Sequence, residues 1–117
     1  MTTVRELATP DGAMQLHEAA PDGPPRGAVI VLQEAFGVND HIQDVTGRFA
    51  AAGYHAVAPA FFHRAGGGTA PYDDFTKVMP LFDGVTDDTI LADVDATLGH
   101  LEGRGFERST IGINQVG

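Results

Sequence analysis

A chain of 117 residues suffices for one domain with a modest core, and its lack of cysteine excludes a disulfide framework, a thiolate nucleophile and a cysteine metal cluster within it. Sixteen acidic against seven basic residues, a formal charge of −9, disfavour phosphate backbones and anionic lipid, so nucleic acid and membrane surfaces are set aside as partners. The first six residues show no basic segment leading into an apolar core, and no apolar run approaches membrane-spanning length, so a cytoplasmic protein is expected.

In chain order, Val4–Ala8 and Met14–Glu18 flank the turn signal Thr9-Pro10-Asp11-Gly12, which predicts an N-terminal β-hairpin. The Pro- and Gly-rich segment 21–26 is then a loop. Ala28-Val29-Ile30-Val31-Leu32 is an unbroken apolar run with three β-branched residues, the signature of a strand buried on both faces in a parallel sheet. It ends on Gln33 and Glu34 and turns through residues 35–39, which places the Glu34 carboxylate at the carboxyl end of a buried strand, where sites form in open α/β sheets.

Asn39 or Asp40 can cap a helix over residues 40–52, with Ile42, Val45 and Phe49 on one face and Gly53 as its stop. Tyr54–Pro59 reads as a second parallel strand, completing a right-handed β-α-β unit. The glycine-rich segment Ala60–Pro71 should be a long loop over the same sheet edge as Glu34, bringing His63 and Arg64 near it. A short helix, interrupted by Pro80, is expected over Tyr72–Phe82.

Thr86 followed by Asp87 and Asp88 marks a helix start, with an N-cap hydroxyl and acids facing the positive end of the dipole. Ile90, Leu91, Val94, Leu98 and Leu101 make its apolar stripe, Asp93 and Asp95 its solvated face, and Gly103 its end. Ser109–Ile113 is the last strand, followed by Asn114-Gln115-Val116-Gly117. No internal repeat or second domain is visible, so residues 1–117 read as one domain.

Three segments, VLQEAFGVN after the buried strand, AAGYHAVAPAFF, and DVDATLGHL before the last strand, together resemble the front half of the dienelactone hydrolase family. The likeness extends over Gly27–Ile113, and Gln-Glu-x-Phe-Gly-Val-Asn is its sharpest part. It implies a partial α/β-hydrolase fold: an N-terminal hairpin, then a mostly parallel sheet flanked by helices. It also implies hydrolysis of an ester or lactone in a small carboxylic compound, without a cofactor. Glu34 would pair with the nucleophilic cysteine and help to activate it, and Ala35 would lend a backbone N–H to the oxyanion hole. Phe36 and Arg64 are the candidate substrate contacts, Arg64 as partner for a carboxylate.

The departure from the family pattern is at the nucleophile elbow, of the type Gly-x-Cys-x-Gly-Gly. Gln115 stands where its first glycine belongs and Gly117 where its cysteine belongs, and none of His17, His41, His55, His63 or His100 occupies the position of the family's triad histidine. The chain therefore resembles a truncated member with an oxyanion-hole half and no attacking group, expected to be inactive by itself. In the family's strand order the strand 109–113 would be an open edge, which suggests a homodimer or an exchange of C-terminal segments.

Three other classes compete with this reading. A metal enzyme lacks support, since no His-x-x-x-His or Glu-x-x-His spacing occurs and His41 with Asp44 is a common helical accident. A phosphate loop at Gly66-Gly67-Gly68 would need a following Lys and a direct strand-to-helix context. The remaining rival is a noncatalytic module that binds a partner or a carboxylate ligand. For Glu34 alone, a strand-end carboxylate that caps the next helix or meets Arg64 is the structural alternative.

Overall fold

The computed structural model describes residues 2–115; Met1, Val116 and Gly117 lie outside the described residues. The expected hairpin is β1 (Thr3–Thr9) and β2 (Gly12–Ala19), followed by β3 (Ala28–Leu32), α1 (Asp40–Ala51), β4 (His55–Pro59), α2 (Asp87–Gly103) and β5 (Ile111–Gln115). They form one sheet in the order β1-β2-β4-β3-β5. β2 is antiparallel to both β1 and β4, whereas β3 runs parallel to β4 and β5.

β3, between β4 and β5, is covered on both faces. Ala28 and Ile30 point to the side of α2, where they pack with Leu16, Val57 and Leu101. Val29 and Val31 point to the side of α1, against Val38, Ile42 and Ala58. This alternation explains why the strand is apolar without a break, and each fully buried Ile, Leu or Val contributes on the order of 1.5–3 kcal/mol of transfer free energy.

α1 begins as expected, with the Asn39 side chain accepting the Ile42 N–H at 3.1 Å. α2 starts with a reciprocal capping box in which Thr86 Oγ1 accepts from the Thr89 N–H at 3.2 Å and Thr89 Oγ1 accepts from the Thr86 N–H at 2.8 Å. Its buried line is Asp93, Thr97 and Leu101, at i, i+4, i+8. Two expectations are thereby corrected. Leu91 turns away from that line and is 66% exposed, and Asp93, read as solvated, is fully buried.

The segment between β4 and α2 also differs from expectation. Residues 61–65 are a 3₁₀ turn closed by Gly66, and 72–82 holds two further 3₁₀ turns, Phe75–Lys77 and Met79–Phe82, in place of a helix. Pro80 has no N–H to donate to a preceding turn, so an α-helical ladder cannot run through it. β5 lies two residues later than read from sequence, because Arg108–Thr110 winds into a 3₁₀ turn in which the Thr110 N–H and hydroxyl both donate to the Glu107 carbonyl. Among the described residues β5 is the sheet edge, hydrogen-bonded to β3 alone, and Gly112–Gln115 are exposed. Among the described residues no helix is long and apolar enough to cross a membrane.

Candidate functional site

The connection from β3 leads to α1 on one face of the sheet, and α2 on the opposite face feeds β5. A crevice therefore opens at the carboxyl ends of β3 and β5, the position at which open α/β sheets hold their ligands. The register brings Leu32, the last residue of β3, opposite Gln115 of β5 beside this crevice.

Gln33 fastens the end of β3. Its amide nitrogen donates to the Glu34 carbonyl at 3.1 Å and its amide oxygen accepts the Phe61 N–H at 2.9 Å, tying β3 to the loop after β4. The following turn closes with the Gly37 N–H on the Glu34 carbonyl at 3.3 Å. Gly37 has φ +87°, and a Cβ there would fall 2.5 Å from the Gly68 carbonyl oxygen, so only glycine fits. The Phe36 carbonyl accepts the Ala70 N–H at 3.1 Å. The turn that carries Glu34 and Ala35 is thus clamped from both sides.

Glu34 and Ala35 line a cavity of about 270 Å³ together with Leu32, Gln33 and Gln115. Phe61 and Phe62 come to it from the loop after β4, and Phe82, Val85 and Ile90 from the approach to α2. Glu34 is half-buried and, among the described residues, makes no ion pair, so its carboxylate is left for the cavity. That disposes of the purely structural alternative in which it meets Arg64.

The other sequence candidates go elsewhere. Phe36 packs edge-on against Tyr72, with ring centroids 4.5 Å apart, and does not line the cavity. Arg64, expected to present a guanidinium to substrate, donates Nη1 and Nη2 to the two Asp93 oxygens at 2.9 and 3.0 Å and Nε to Asp11 at 2.6 Å. His63 Nε2 also contacts Asp93, at 3.1 Å to each oxygen. The loop does cross the Glu34 edge, but Phe61 and Phe62 face the cavity, while His63 and Arg64 are drawn to the buried Asp93. The Asp93 carboxylate pushes the Arg64 guanidinium above its ordinary value.

A second buried carboxylate, Glu18, sits on the inward face of β2. It accepts from His55 Nε2 at 2.6 Å and His100 Nε2 at 2.9 Å on one oxygen, and from Arg5 and Arg104 on the other. Burial opposes its ionisation, but the hydrogen bonds from His55, His100 and Arg5 outweigh that and hold it at about 2. On the other face of β2, burial pushes His17 down, and its enclosed Nδ1 has no hydrogen-bond partner among the described residues. Gln33, Glu18 and Asp93 escaped the sequence reading, although the alternation Met14, Leu16, Glu18 already places Glu18 on a core-facing row. The expected nucleophile position, Gly117, lies outside the described residues.

A model of the dienelactone hydrolase family matches residues 14–114. The chain belongs to the dienelactone hydrolase family. Among curated relatives, a candidate carboxymethylenebutenolidase of Methylorubrum extorquens is 34% identical over 96 residues, covering 81% of this chain and 33% of that protein. A candidate carboxymethylenebutenolidase of Escherichia coli strain K12 is 42% identical over 78 residues, covering 63% of this chain and 27% of that protein. Among solved structures, a candidate dienelactone hydrolase of Klebsiella pneumoniae superposes with a TM-score of 0.84 at 30% identity, over 98% of this chain and 49% of that one. The chain thus spans about a third of the length of these curated relatives and about half of that structure, and its sheet and helices are those of an α/β hydrolase.

Proposed function

We propose that residues 1–117 form one incomplete α/β-hydrolase domain that supplies the oxyanion-hole side of a carboxylic ester or lactone hydrolase. The observation that carries this is the clamped turn at the end of β3, which holds Glu34 and Ala35 on a cavity beside the end of β5. In acyl transfer a nucleophile adds to the carbonyl carbon, charge builds on the carbonyl oxygen, and the alkoxide departs as the tetrahedral intermediate collapses. A backbone N–H at a rigid turn, as at Ala35, stabilises that oxygen without reorganising, and the Glu34 carboxylate serves the attacking group as base or hydrogen-bond partner. Phe36 then holds the turn in place. A cytoplasmic location goes with this reading.

With no cysteine in its sequence, the chain by itself is expected to hydrolyse 4-nitrophenyl esters no faster than buffer. Joined after Gln115 to the corresponding C-terminal part of the Methylorubrum extorquens relative, it should turn these esters over, and Glu34→Ala in that chimera should lower kcat by roughly 10²-fold. A folded chimera that is inactive, or one indifferent to Glu34→Ala, would refute the assignment and leave the noncatalytic binding module standing.

Self-association is a second part of the proposal, favoured by the open edge of β5. Its unpaired N–H and C=O groups can pair with the same strand of a second copy. Light scattering across micromolar concentrations should give the mass of a dimer; a monomer throughout would discard it.

A further inference from the structure

The loop of residues 61–70 joins the turn after β3 to α2, and little holds it between those two attachments. At Gly66, Gly67 and Gly68 an added Cβ would meet nothing within 4 Å among the described residues, so the middle of the loop is not fixed by packing. On the side of β3, the Phe61 N–H donates to Gln33 Oε1 at 2.9 Å, the Ala70 N–H donates to the Phe36 carbonyl at 3.1 Å, and the Gly68 carbonyl lies against Gly37. On the side of α2, Arg64 Nη1 and Nη2 each donate to one oxygen of Asp93, and His63 Nε2 contacts both. The Asp93 side chain is 1% exposed, and the stem of Arg64 packs against Gly84, where a Cβ would fall 3.0 Å from Arg64 Cβ.

From this we infer that Asp93 is a positioning residue for the turn of Glu34 and Ala35, acting through Arg64, His63 and the loop of residues 61–70. A guanidinium held by both oxygens of one carboxylate is fixed in direction as well as in distance, which an apolar contact does not achieve. The buried carboxylate on α2 sets the loop, and the loop passes that setting to the turn through the Gln33 amide and the Phe36 carbonyl. The Ala35 N–H depends on it, because stabilisation of a developing oxyanion requires a donor that already points to the right place. The inference rests on the reading of this turn as the oxyanion-hole side of a hydrolase.

Amide hydrogen exchange on the ¹⁵N-labelled 117-residue chain separates this role from plain stability. Asp93→Leu combined with Arg64→Met removes a charge together with its partner, so it preserves the fold while replacing a directed clamp by an undirected contact. In that double variant Phe61, Gly37 and Ala70 should exchange at least ~10-fold faster than in the native chain and the Ala35 amide resonance should shift, while Ile30 and Val57 in the sheet quicken only as far as the urea midpoint accounts for. Arg64→Lys, which keeps the charge and loses the fork, should act in the same direction and serves if the double variant does not fold. Native exchange at those three amides, or acceleration spread evenly over the sheet, would show that the clamp contributes stability alone and would overturn the inference. Exchange needs no turnover, so that outcome leaves the hydrolase reading standing, whereas an inactive chimera refutes that reading and leaves the link between Asp93 and the turn in place.

Discussion

Glu18→Gln should cost about 3 kcal/mol of stability at neutral pH, read as a lowered midpoint in urea unfolding. The substitution keeps the shape of the side chain but strips the countercharge from His55, His100, Arg5 and Arg104, and breaking a buried ion pair from one side typically costs about 3–5 kcal/mol. The lower end applies because Arg5 and Arg104 are 46% and 38% exposed and can turn to water.

The same residue sets an acid limb. Glu18 titrates at about 2 in the fold against an ordinary 4.5, so between those values the unfolded chain binds more protons than the folded one. Its stabilisation is complete above pH 4.5 and drains away as the pH falls towards 2, in total about 3 kcal/mol at about 1.4 kcal/mol per unit. Urea midpoints measured from pH 7 down to pH 3 should fall with acid in the native chain and fall distinctly less in Glu18→Gln. Parallel acid limbs in the two proteins would show that Glu18 is not the group responsible.

Asp93→Ala should be the most damaging single substitution, at about 3–5 kcal/mol, because it abandons a buried guanidinium and a buried imidazole together. Asp11, half exposed, cannot make good the two bonds that Arg64 loses. With domain stabilities of about 5–15 kcal/mol, a loss of this size brings the chain close to unfolding at ambient temperature. The loop of residues 61–70 should lose amide-exchange protection first, since its 3₁₀ turn is anchored on α2 through His63 and Arg64. Pairing Asp93→Leu with Arg64→Met removes the charge with its partner and should recover a large part of the loss. If the double variant is as unstable as Asp93→Ala, packing and not uncompensated charge is the cause.

Local chemistry alone determined a good deal of this protein. The uninterrupted run Ala28–Leu32, the caps at Asn39 and Thr86, and the Pro-Asp-Gly turn of the hairpin each carry their own structural instruction within a few residues, and each element appears where those signals place it. The Gln-Glu-x-Phe-Gly-Val-Asn stretch was legible as a resemblance to a family, and in the fold it is a turn at a strand end closed by Gly37 at positive φ. What only the tertiary structure decided are contacts between residues far apart in the chain. Asp93 looks like any helical surface acid until α2 is laid against the loop after β4, 29 residues away, and Arg64 closes on it. Glu18 draws its partners from β1, β4, α2 and Arg104, the residue that follows α2. A long-range ion pair leaves no periodic trace, because its energy depends on the packing of elements and not on their spacing in sequence. That packing moved Arg64 off the cavity and left Phe61, Phe62 and Phe82 to form its wall.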